Sequence, residues 1–354
     1  MNRLKDFYRG RRVFLTGHTG FKGAWMCAVL KRLGASVCGY ALQPPTKPSL
    51  FVLSGAERGI RSAVGDVRDL SSLETAVRDF SPEIAIHMAA RSLVREGYAD
   101  PVGTYGTNVM GTVHFLQALR GCETVGSIIN VTTDKVYKNL GGKVSMREED
   151  ILDGNDPYSN SKSCSELVTG AYVRAFFAGK GVPVSTCRAG NAIGGGDFSP
   201  DRILPDCVRA AAAGEPVRVR NPQSVRPYQH VLEPIFAYLT VAMRQYAQPS
   251  LAGCYNIGPK ADGCISTGEL AELFCSAWGG GTRWESAPVR AAPQEAEFLT
   301  IDSERVERVF GLHHRWNVAA AVQKTVEWSK AWLAGEDVSA IMNGQIDEYM
   351  QQCR

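Results

Sequence analysis

Short apolar runs alternate with longer amphipathic stretches through the first half of the chain, and this alternation limits the folds that it can adopt. Strands are predicted over Arg12–Thr16, Ser36–Tyr40, Arg61–Gly65, Ile84–His87, Ser127–Thr132, Val184–Arg188 and Tyr255–Ile257. Helices are predicted over Phe21–Leu33, Leu70–Phe80, Val102–Arg120 and Tyr158–Phe177. Apolar strands that alternate with helices favour an α/β fold, a doubly wound parallel sheet of the Rossmann type with helices on both faces.

The strand–helix rhythm ends near Arg188, where a second unit begins. Its predicted elements are helices over Asp201–Ala213, Ala319–Leu333 and Ser339–Gln351, a short strand over Val217–Arg220, and a helix to Trp278 that a capping box of Ser266 and Glu269 opens. We therefore expect a dinucleotide-binding domain over residues 1–188, joined by about 254–259. Residues 189–253 and 260–354 are expected to form a smaller, mostly helical C-terminal substrate lobe.

Composition and charge exclude several classes of protein. The net charge is +3, without a basic stripe, so nucleic acid is not expected as a partner. The ten cysteines form no CxxC pair and no cluster with histidine at metal spacing, so no metal is expected. Neither a signal peptide nor a run of 18 apolar residues is found, so we expect a soluble, cytoplasmic protein that does not enter a membrane.

The segment Thr16–Gly23, which reads TGHTGFKG, lies directly between the first predicted strand and the first predicted helix. Gly17 permits a tight turn, Gly20 lets the backbone approach a pyrophosphate, and Gly23 lets the helix pack close to the strand. The free amides at the helix N-terminus bind phosphate. In this setting the glycines predict a dinucleotide site rather than an ordinary connecting turn.

The adenosine end of the dinucleotide is not decided by the pattern. An acid normally ends the second strand and holds the ribose of NAD, but here that strand ends GYA at 39–41. No cation for the phosphate of NADP stands there either, so the sequence does not choose between NAD and NADP. Asp66 either meets the adenine amino group or caps the turn after the third strand. His18 and Lys22 either face phosphate or substrate, or are merely solvated.

Tyr158 and Lys162 lie four residues apart in a predicted helix and therefore share one face. A phenol is a weak base at its reference pKa of roughly 10, and a nearby cation lowers that pKa. Lys162 supplies such a charge and also suits the nicotinamide ribose. The pair therefore predicts that Tyr158 takes a proton from an alcohol while hydride leaves the same carbon.

Thr133, Asp134 and Lys135 follow the fifth predicted strand, at the carboxyl edge where a doubly wound sheet binds its ligand. This position favours a chemical role for all three. The alternatives are that Thr133 caps a turn and that Asp134 and Lys135 form a surface ion pair.

Motifs along nearly the whole chain resemble the extended short-chain dehydrogenase/reductase superfamily, and within it the nucleotide-sugar 4,6-dehydratases, in particular the branch that acts on CDP-glucose. They are TGHTGFKG (16–23), GYALQPPTKPSLF (39–51), HMAA (87–90), NVMGT (108–112), TTDKVY (132–137), DPYSNSK (156–162), RAGNAIGGGDF (188–198) and RPYQHVLEP (226–234). The resemblance implies a hydro-lyase of deoxysugar and O-antigen biosynthesis that holds NAD tightly and works as a homodimer or homotetramer.

The resemblance also implies the reaction. Tyr158 deprotonates the sugar 4-hydroxyl, Thr133 binds the 4-oxygen, and Asp134 is the acid that protonates the departing 6-hydroxyl. Related dTDP-glucose dehydratases have a Glu where this chain has Lys135, and that Glu removes the C5 proton. We expect Lys135 to handle this proton directly or through water, which requires a neutral amine and therefore a lowered pKa.

Further contacts are implied by motif position. The cofactor residues are Gly17, His18, Gly20, Phe21, Lys22, Gly23, Asp66, Val67, Met88, Ala89, Ala90, Asn108, Tyr158 and Lys162, and the substrate residues are Asn191, Arg202, Arg226 and His230. Arg91 and Phe198 depart from the expected Gln and Trp, which affects the sugar or base pocket. The alternatives are a dehydratase for another nucleotide sugar, a 4-epimerase or decarboxylase, and a cofactor-sensing protein without activity.

Overall fold

A seven-stranded parallel sheet forms the centre of the computed structural model, which describes residues 2–260, 263–287 and 296–352. The strands are β1 (Arg12–Thr16), β2 (Ser36–Ala41), β3 (Arg61–Val64), β4 (Ile84–His87), β5 (Ser127–Thr133), β6 (Val184–Ala189) and β7 (Cys254–Ile257). Their order across the sheet is β7-β6-β5-β4-β1-β2-β3, and every neighbouring pair is parallel. The predicted fold class and all seven predicted strands are confirmed.

Fourteen helices accompany these strands in the described residues. They are α1 (Asn2–Tyr8), α2 (Phe21–Arg32), α3 (Leu50–Leu53), α4 (Leu70–Phe80), α5 (Val94–Ala99), α6 (Pro101–Tyr105), α7 (Gly111–Arg120), α8 (Pro157–Tyr172), α9 (Ile203–Ala212), α10 (Leu232–Ala247), α11 (Thr267–Trp278), α12 (Glu304–Phe310), α13 (Val318–Leu333) and α14 (Val338–Gln351). A π-helical turn over Gly106–Met110 joins α6 to α7, and another over Val173–Phe177 continues α8. The predicted helices at 102–120 and 158–177 are therefore each continuous but widened.

Two apolar layers sandwich the sheet. Successive strand residues such as Phe14 and Leu15 point to opposite faces, and each is fully buried in a different cluster. Leu15 lies in the cluster with Trp25 of α2, whereas Phe14 lies in the cluster with Phe115 of α7. Burying one such side chain contributes about 1.5–3 kcal/mol, so continuous apolar strands are stable only when both faces are covered.

The helix α10 corrects the expected assignment of residues 189–253 to the substrate lobe. Its side chains, among them Ile235 and Leu239, belong to the same buried cluster as α2 and the sheet. The sequence pattern predicts no helix here because apolar residues surround the helix on most sides and leave no polar stripe. Residues 232–247 are therefore part of the layer that covers the sheet.

The remaining C-terminal elements form a third apolar cluster beside the sheet, which contains Leu204 of α9, Phe274 of α11 and Val322 of α13. Short paired strands accompany these helices: Val217–Val219 with Trp284–Ser286, Val225–Arg226 with Ile265–Ser266, Gln229–His230 with Ala192–Ile193, and Thr300–Ile301 with Ser145–Met146. The predicted capping box is present, since Ser266 Oγ accepts from Glu269 N and Glu269 Oε2 accepts from Ser266 N.

The nine cysteines within the described residues are all free thiols, and Cys353 lies outside those residues. Of the helices that the structure describes, none has both the length and the apolar character needed to cross a bilayer.

Candidate active site

A cleft of about 2920 Å³ opens between the carboxyl edge of the sheet and the third cluster. The predicted residues that line it are Gly17, Gly20, Phe21, Lys22, Gly23, Asp66, Val67, Met88, Ala89, Ala90, Thr133, Asp134, Lys135, Tyr158, Lys162, Asn191, Arg202 and Arg226. The structure thus brings together residues that lie more than 200 positions apart in the chain. Three further predicted residues, His18, Asn108 and His230, are not among the described residues of the cleft wall.

The glycine turn between β1 and α2 has the geometry that a pyrophosphate requires. Gly17 has a φ of +76°, and a side chain there would meet Ala89 N at 2.7 Å. A Cβ on Gly23 would lie 2.2 Å from Gly17 O, so this glycine lets α2 pack onto the turn. A Cβ on Gly20 would meet only Gly17 O at 3.6 Å. The space over Gly20 is therefore open for a phosphate, at a helix N-terminus.

Thr16 joins this turn to the segment after β4. Its Oγ1 accepts hydrogen bonds from the backbone N–H groups of Met88 and Ala89, both at 3.1 Å, and lies 2.8 Å from His87 Nδ1. The two loops that border the cofactor half of the cleft are consequently held together by one side chain.

Asp66 lies on the cleft wall and also caps its own turn. Its carboxylate accepts from the backbone N–H of Arg68 at 2.9 Å and forms an ion pair with the Arg68 guanidinium at 2.6 Å. Both readings of Asp66 left open by the sequence are therefore compatible with its position. Because Asp66 occupies Arg68, that guanidinium is not free for an additional phosphate.

His18 does not point into the cleft, which corrects its assignment as a cofactor contact. The imidazole is fully buried under β2 and β3, where Nε2 lies 2.7 Å from Ser62 Oγ and the ring packs edge-on against Phe51. A Cβ on Gly39 would collide with this ring, so the glycine of β2 makes room for it. Burial lowers the pKa of His18 to about 4, and the side chain stays neutral.

Asn108 and His230 are corrected in the same way. Asn108 accepts from Arg91 N at 2.9 Å and donates to Arg91 O at 3.0 Å and to Ser161 Oγ at 2.8 Å, so it fixes the loop after β4 instead of touching a ligand. His230 is fully buried between Trp25 and Trp316, with ring centroids 5.6 and 4.7 Å away. Motif position identified both residues but not the direction of their side chains.

Tyr158 and Lys162 lie in the first turns of α8, and both are almost completely buried. Asp156 caps this helix by accepting from Ser159 N at 3.0 Å, and Pro157 occupies its first position. Lys162 Nζ donates to Val131 O on β5 at 3.1 Å. The helix start therefore fixes the two side chains against the end of the central strand.

The protonation of this pair differs from the expectation that Lys162 lowers the pKa of Tyr158. Burial raises the pKa of Tyr158 to about 12, and a hydrogen bond with Thr133 and the charge of Arg202 oppose this increase. Burial also lowers the pKa of Lys162 to about 8. In the chain by itself, desolvation outweighs the attraction between the two groups because Lys162 is turned toward a backbone carbonyl.

Thr133, Asp134 and Lys135 end β5 and form the adjoining wall of the cleft. Thr133 Oγ1 donates to Asp134 Oδ1 at 2.9 Å, and Lys135 Nζ lies 3.6 Å from the same oxygen. Asp134 is 1% exposed, and its Oδ2 has no hydrogen-bond partner within the described part of the chain. A buried carboxylate oxygen without a partner is costly, so its presence beside a cleft indicates a ligand group that completes it.

Lys22 brings a second amine to this wall. Its Nζ lies 3.4 Å from the hydroxyl of Tyr238, a buried residue of α10. Burial lowers the pKa of Lys22 to about 8, and the charges of Arg202 and Lys162 lower it further while Asp134 opposes them. An ammonium group in these surroundings is stabilised by an anion, which agrees with a phosphate above Gly20.

Hydroxyl groups spaced one turn apart fasten α8 to its neighbours. Ser161, Ser165 and Thr169 are all buried on one face. Ser165 Oγ lies 2.9 Å from Thr112 Oγ1, and Asn130 Nδ2 donates to Ser165 at 3.0 Å and to Thr169 at 2.8 Å. The catalytic helix is thus tied by side-chain hydrogen bonds both to α7 and to β5.

The substrate half of the cleft contains Asn191, Arg202 and Arg226, as predicted. Arg202 donates to Asp197 Oδ2 at 3.0 Å and to Ser92 Oγ at 3.1 Å, which holds its guanidinium across the cleft. Arg226 is almost fully buried, and its guanidinium donates to the backbone carbonyls of residues 225, 296 and 297.

The two departures from the expected motifs have different outcomes. Arg91 lines the cleft and forms an ion pair with Asp100. Phe198 instead packs against Trp328 and Trp332 beside the cleft, so its substitution affects the apolar support of the wall.

Sequence reasoning missed the polar groups behind the cleft wall, above all Glu166 and Arg188. They form an ion pair with 2.9 Å between Arg188 Nε and Glu166 Oε1, and both side chains are 2% exposed. The spacing of Lys162 and Glu166, four residues apart on one helix, is the signal that would have identified Glu166.

A dinucleotide fits the sheet side of the cleft. The open space over Gly20, the amides of the α2 N-terminus and the Lys22 ammonium suit its pyrophosphate, and Lys162 and Tyr158 lie where a nicotinamide ribose would follow. Across residues 2–260, 263–287 and 296–352, no group of three or more His, Cys, Asp or Glu side chains is arranged to hold a metal ion.

Comparisons with known proteins agree with this geometry. Residues 13–258 match the family described as the NAD dependent epimerase/dehydratase family. CDP-glucose 4,6-dehydratase of Salmonella typhimurium is 40% identical over 352 residues, which cover 98% of each chain. UDP-glucose 4-epimerase of Thermotoga maritima has a similar structure, with a TM-score of 0.80, 19% identity and coverage of 91% of this chain and 99% of that chain. For dTDP-glucose 4,6-dehydratase of Bacillus anthracis, solved with NAD, the TM-score is 0.77 at 21% identity, with coverage of 91% and 97%. By sequence over most of its length, by fold and by the residues of its cleft, the chain belongs to the NAD dependent epimerase/dehydratase family.

Proposed function

We propose that the chain is a hydro-lyase that converts CDP-D-glucose into CDP-4-keto-6-deoxy-D-glucose and water, with NAD as its resident cofactor. The observation that carries this proposal is the arrangement of Thr133, Asp134 and Lys135 beside Tyr158 in one cleft. Oxidation at C4 alone needs only a tyrosine and a lysine, whereas loss of water across C5 and C6 needs an additional acid and base. The identity to the Salmonella typhimurium enzyme supports the choice of CDP-glucose.

The choice of NAD over NADP is supported by the end of the sheet at β2 and β3. Arg68 is the cation of that region, and it is already paired with Asp66. When bound, NAD supplies the acceptor for the C4 hydride, the donor that returns it to C6, and a positive charge near the reacting groups.

In the first step Tyr158 acts as the base for the 4-hydroxyl of the sugar. It has to enter this step as phenolate, which its burial disfavours, so the cationic groups around it must provide the stabilisation. Lys162 is the nearest lysine on the same helix face, and its ammonium form is retained below about pH 8. Thr133, which hydrogen-bonds Tyr158, lies where it can also donate to the 4-oxygen.

Asp134 and Lys135 then act as one unit in the loss of water. In the resting ion pair the proton is on Lys135, and transfer to Asp134 over 3.6 Å or through a water molecule yields a neutral amine and a carboxylic acid. A cleft filled by ligands excludes water and favours the neutral form of such a pair. The amine takes the C5 proton, the acid protonates the 6-hydroxyl, and water leaves. This step restores the charged pair.

The last step returns hydride to C6 and a proton from Lys135 to C5. After it, Tyr158 holds one proton too many and Asp134 one too few. The Thr133 hydroxyl, which hydrogen-bonds both, provides the path by which the proton passes from Tyr158 to Asp134. Atoms and charges then balance, and the residues are ready for another turnover.

A 4-epimerase is the second candidate, since such enzymes share the fold. An epimerase needs no acid or base at C5 and C6, so the buried Asp134–Lys135 pair at the cleft argues against it.

The test of substrate and reaction is to offer the purified protein a panel of CDP-, dTDP- and UDP-glucose with NAD and to follow the sugar by NMR. We expect CDP-glucose to lose water and the others to react at least roughly tenfold more slowly, a difference of about 1.4 kcal/mol. Turnover of another nucleotide sugar without turnover of CDP-glucose would overturn the substrate. Formation of a C4 epimer would overturn the reaction.

The roles of Asp134 and Lys135 separate in D₂O. The Asp134→Asn variant should still exchange the C5 hydrogen but lose no water, because the base remains and the acid is gone. Lys135→Ala should do neither. Normal C5 exchange in Lys135→Ala would show that another group is the base.

We further propose that the enzyme works in the cytoplasm, where nucleotide sugars and NAD are available, in deoxysugar and O-antigen biosynthesis. The free thiols agree with a reducing compartment. We also propose a homo-oligomer, since Val102, Met110 and Leu167 are exposed apolar residues on the outer side of α6 to α8. The division into residues 1–188 with 254–259 and a substrate lobe, amended for α10, stays a proposal.

A further inference from the structure

The ion pair of Glu166 and Arg188 lies behind the cleft wall, and the mechanism above makes no use of it. Glu166 follows Lys162 by one turn of α8, and Arg188 lies on β6. Arg188 donates from Nε to Oε1 and from Nη2 to Oε2 of Glu166, at 2.9 and 3.0 Å. A guanidinium that binds both carboxylate oxygens fixes the orientation of the carboxylate.

The pair also binds the backbone segment that carries the cleft-facing acid and base. Glu166 Oε1 accepts the hydroxyl of Thr132, which precedes the cleft-facing threonine. Arg188 Nη1 donates to the hydroxyl of Tyr137 at 2.8 Å, two residues beyond the cleft-facing lysine, and that hydroxyl donates to Asn256 on β7 at 2.6 Å. The end of β5, the turn after it and α8 are consequently tied to one buried point.

The carboxylate acts on Lys162 as well. Burial lowers the pKa of Lys162 to about 8, and Glu166 opposes that decrease. The other groups coupled to this ammonium are Lys22 on α2 and His87 at the end of β4, and Tyr158 lies on α8 itself. Lys22 is cationic, and burial keeps His87 neutral with a pKa of about 3. Among these groups Glu166 is the anion that sustains the charge of Lys162.

We propose that Glu166, held by Arg188, is a positioning residue that sets the direction and the charge of Lys162 and seats the turn that carries Asp134 and Lys135. The role deepens the proposed dehydration, and its activity readouts rest on that function. Its first readout does not, because it uses the protein without cofactor or substrate.

That first readout is the pKa of Lys162, measured by NMR on protein labelled at the lysine Cε and assigned by the signal missing from Lys162→Met. The Glu166→Gln variant keeps the shape of the side chain and removes its charge. We expect the pKa of Lys162 to fall by about 1 unit, and kcat to fall roughly tenfold with a smaller change in KM. The high-pH limb of kcat should move down by the same interval. An unchanged pKa of Lys162 would overturn the proposal.

Two further variants separate positioning from mere stability. Arg188→Lys keeps the charge but not the two-pronged contact, so it should lower kcat while the pKa of Lys162 changes little. The pair Glu166→Leu with Arg188→Met removes both charges, and apolar replacement of a buried ion pair often preserves folding. Its unfolding temperature should exceed that of Glu166→Gln while kcat and the pKa of Lys162 stay low. Recovery of both with stability would assign the pair a structural role only.

Glu233 provides the matched control. It is also a buried glutamate, and it accepts from Arg315 N, Trp316 N and the Tyr349 hydroxyl away from the cleft. Glu233→Gln should lower the unfolding temperature and leave the pKa of Lys162 and the pH profile unchanged. If the wild-type protein turned over no nucleotide sugar, the proposed function would fail, whereas the NMR reading of Lys162 would still decide the role of Glu166.

Discussion

Lys22 is the residue at which burial and charge conflict most directly. Its pKa is about 8 in the folded chain, lowered by burial from an ordinary value of 10.5. The folded protein therefore carries the full cost of this ammonium below about pH 8. The cost decreases as pH rises toward 10.5, where the unfolded lysine loses its proton too.

Replacing Lys22 with Met should consequently stabilise the cofactor-free protein at pH 7. We expect an increase in the unfolding temperature of roughly 2–4 °C, the response to about 1 kcal/mol in a chain of this order of size. The gain should shrink between pH 8 and 10.5 in a series of thermal melts. Lys143→Met, at an exposed position of the cleft rim, is the control and should change little. An equal gain at pH 7 and pH 10.5 would point to packing instead of charge.

At the scale of single residues, the sequence predicted which segments reach the cleft better than which side chains face it. Thr133 and Asp134 were placed correctly because the carboxyl end of a parallel strand has a known position in the sheet. His18 and Asn108 were not, because neighbours in a loop can point in opposite directions. The raised pKa of Tyr158 depends on burial by many distant residues and has no local signal.

Among the elements, α8 carries the greatest functional demand, and its start is fixed by one side chain. Asp156 caps the helix two residues before Tyr158. Asp337 caps α14 in the same way, by accepting from Ser339 N at 2.9 Å and Ala340 N at 3.2 Å, but α14 lies away from the cleft. The two caps offer a matched comparison.

Replacing either aspartate with Ala should cost about 1 kcal/mol of unfolding free energy, as measured by urea denaturation. Only Asp156→Ala should also lower kcat, by roughly tenfold, because fraying of the first turn displaces the phenol. Equal loss of activity in Asp337→Ala would show that kcat follows overall stability.

Elements with a one-sided apolar pattern were predicted within one or two residues, as for Leu70–Phe80, which matches α4. The helix α10 was not predicted because it is buried on most sides, and a helix without a polar stripe lacks the periodicity that identifies it. The widened turns at 106–110 and 173–177 leave no mark on apolar spacing at this length.

For the whole molecule, one cleft between the sheet and the third cluster holds every group that the proposed cycle needs. Because hydride is returned to the same sugar, the reaction should consume no cofactor. We expect one equivalent of NAD per chain to support hundreds of turnovers of CDP-glucose without net absorbance of NADH. Product limited to one equivalent per NAD, followed by gas chromatography or NMR, would contradict the closed cycle.

The global topology followed from the order of strands and helices, because crossover connections between parallel strands have one hand. The placement of α10 on the sheet, and of Tyr238 beside Lys22, did not follow from it. Such contacts join residues more than 200 positions apart and depend on how the C-terminal segments return to the sheet.

The hydroxyl face of α8 has a consequence for how enzymes on this scaffold diversify. Ser161, Ser165 and Thr169 lock the helix in register, so Tyr158 and Lys162 stay in place whatever occupies the neighbouring turn after β5. Mutation can then exchange the residues at 133–135 without disturbing hydride transfer at C4. An ancestral oxidation step is thereby preserved, and its outcome as epimerisation or elimination is open to change through one short loop.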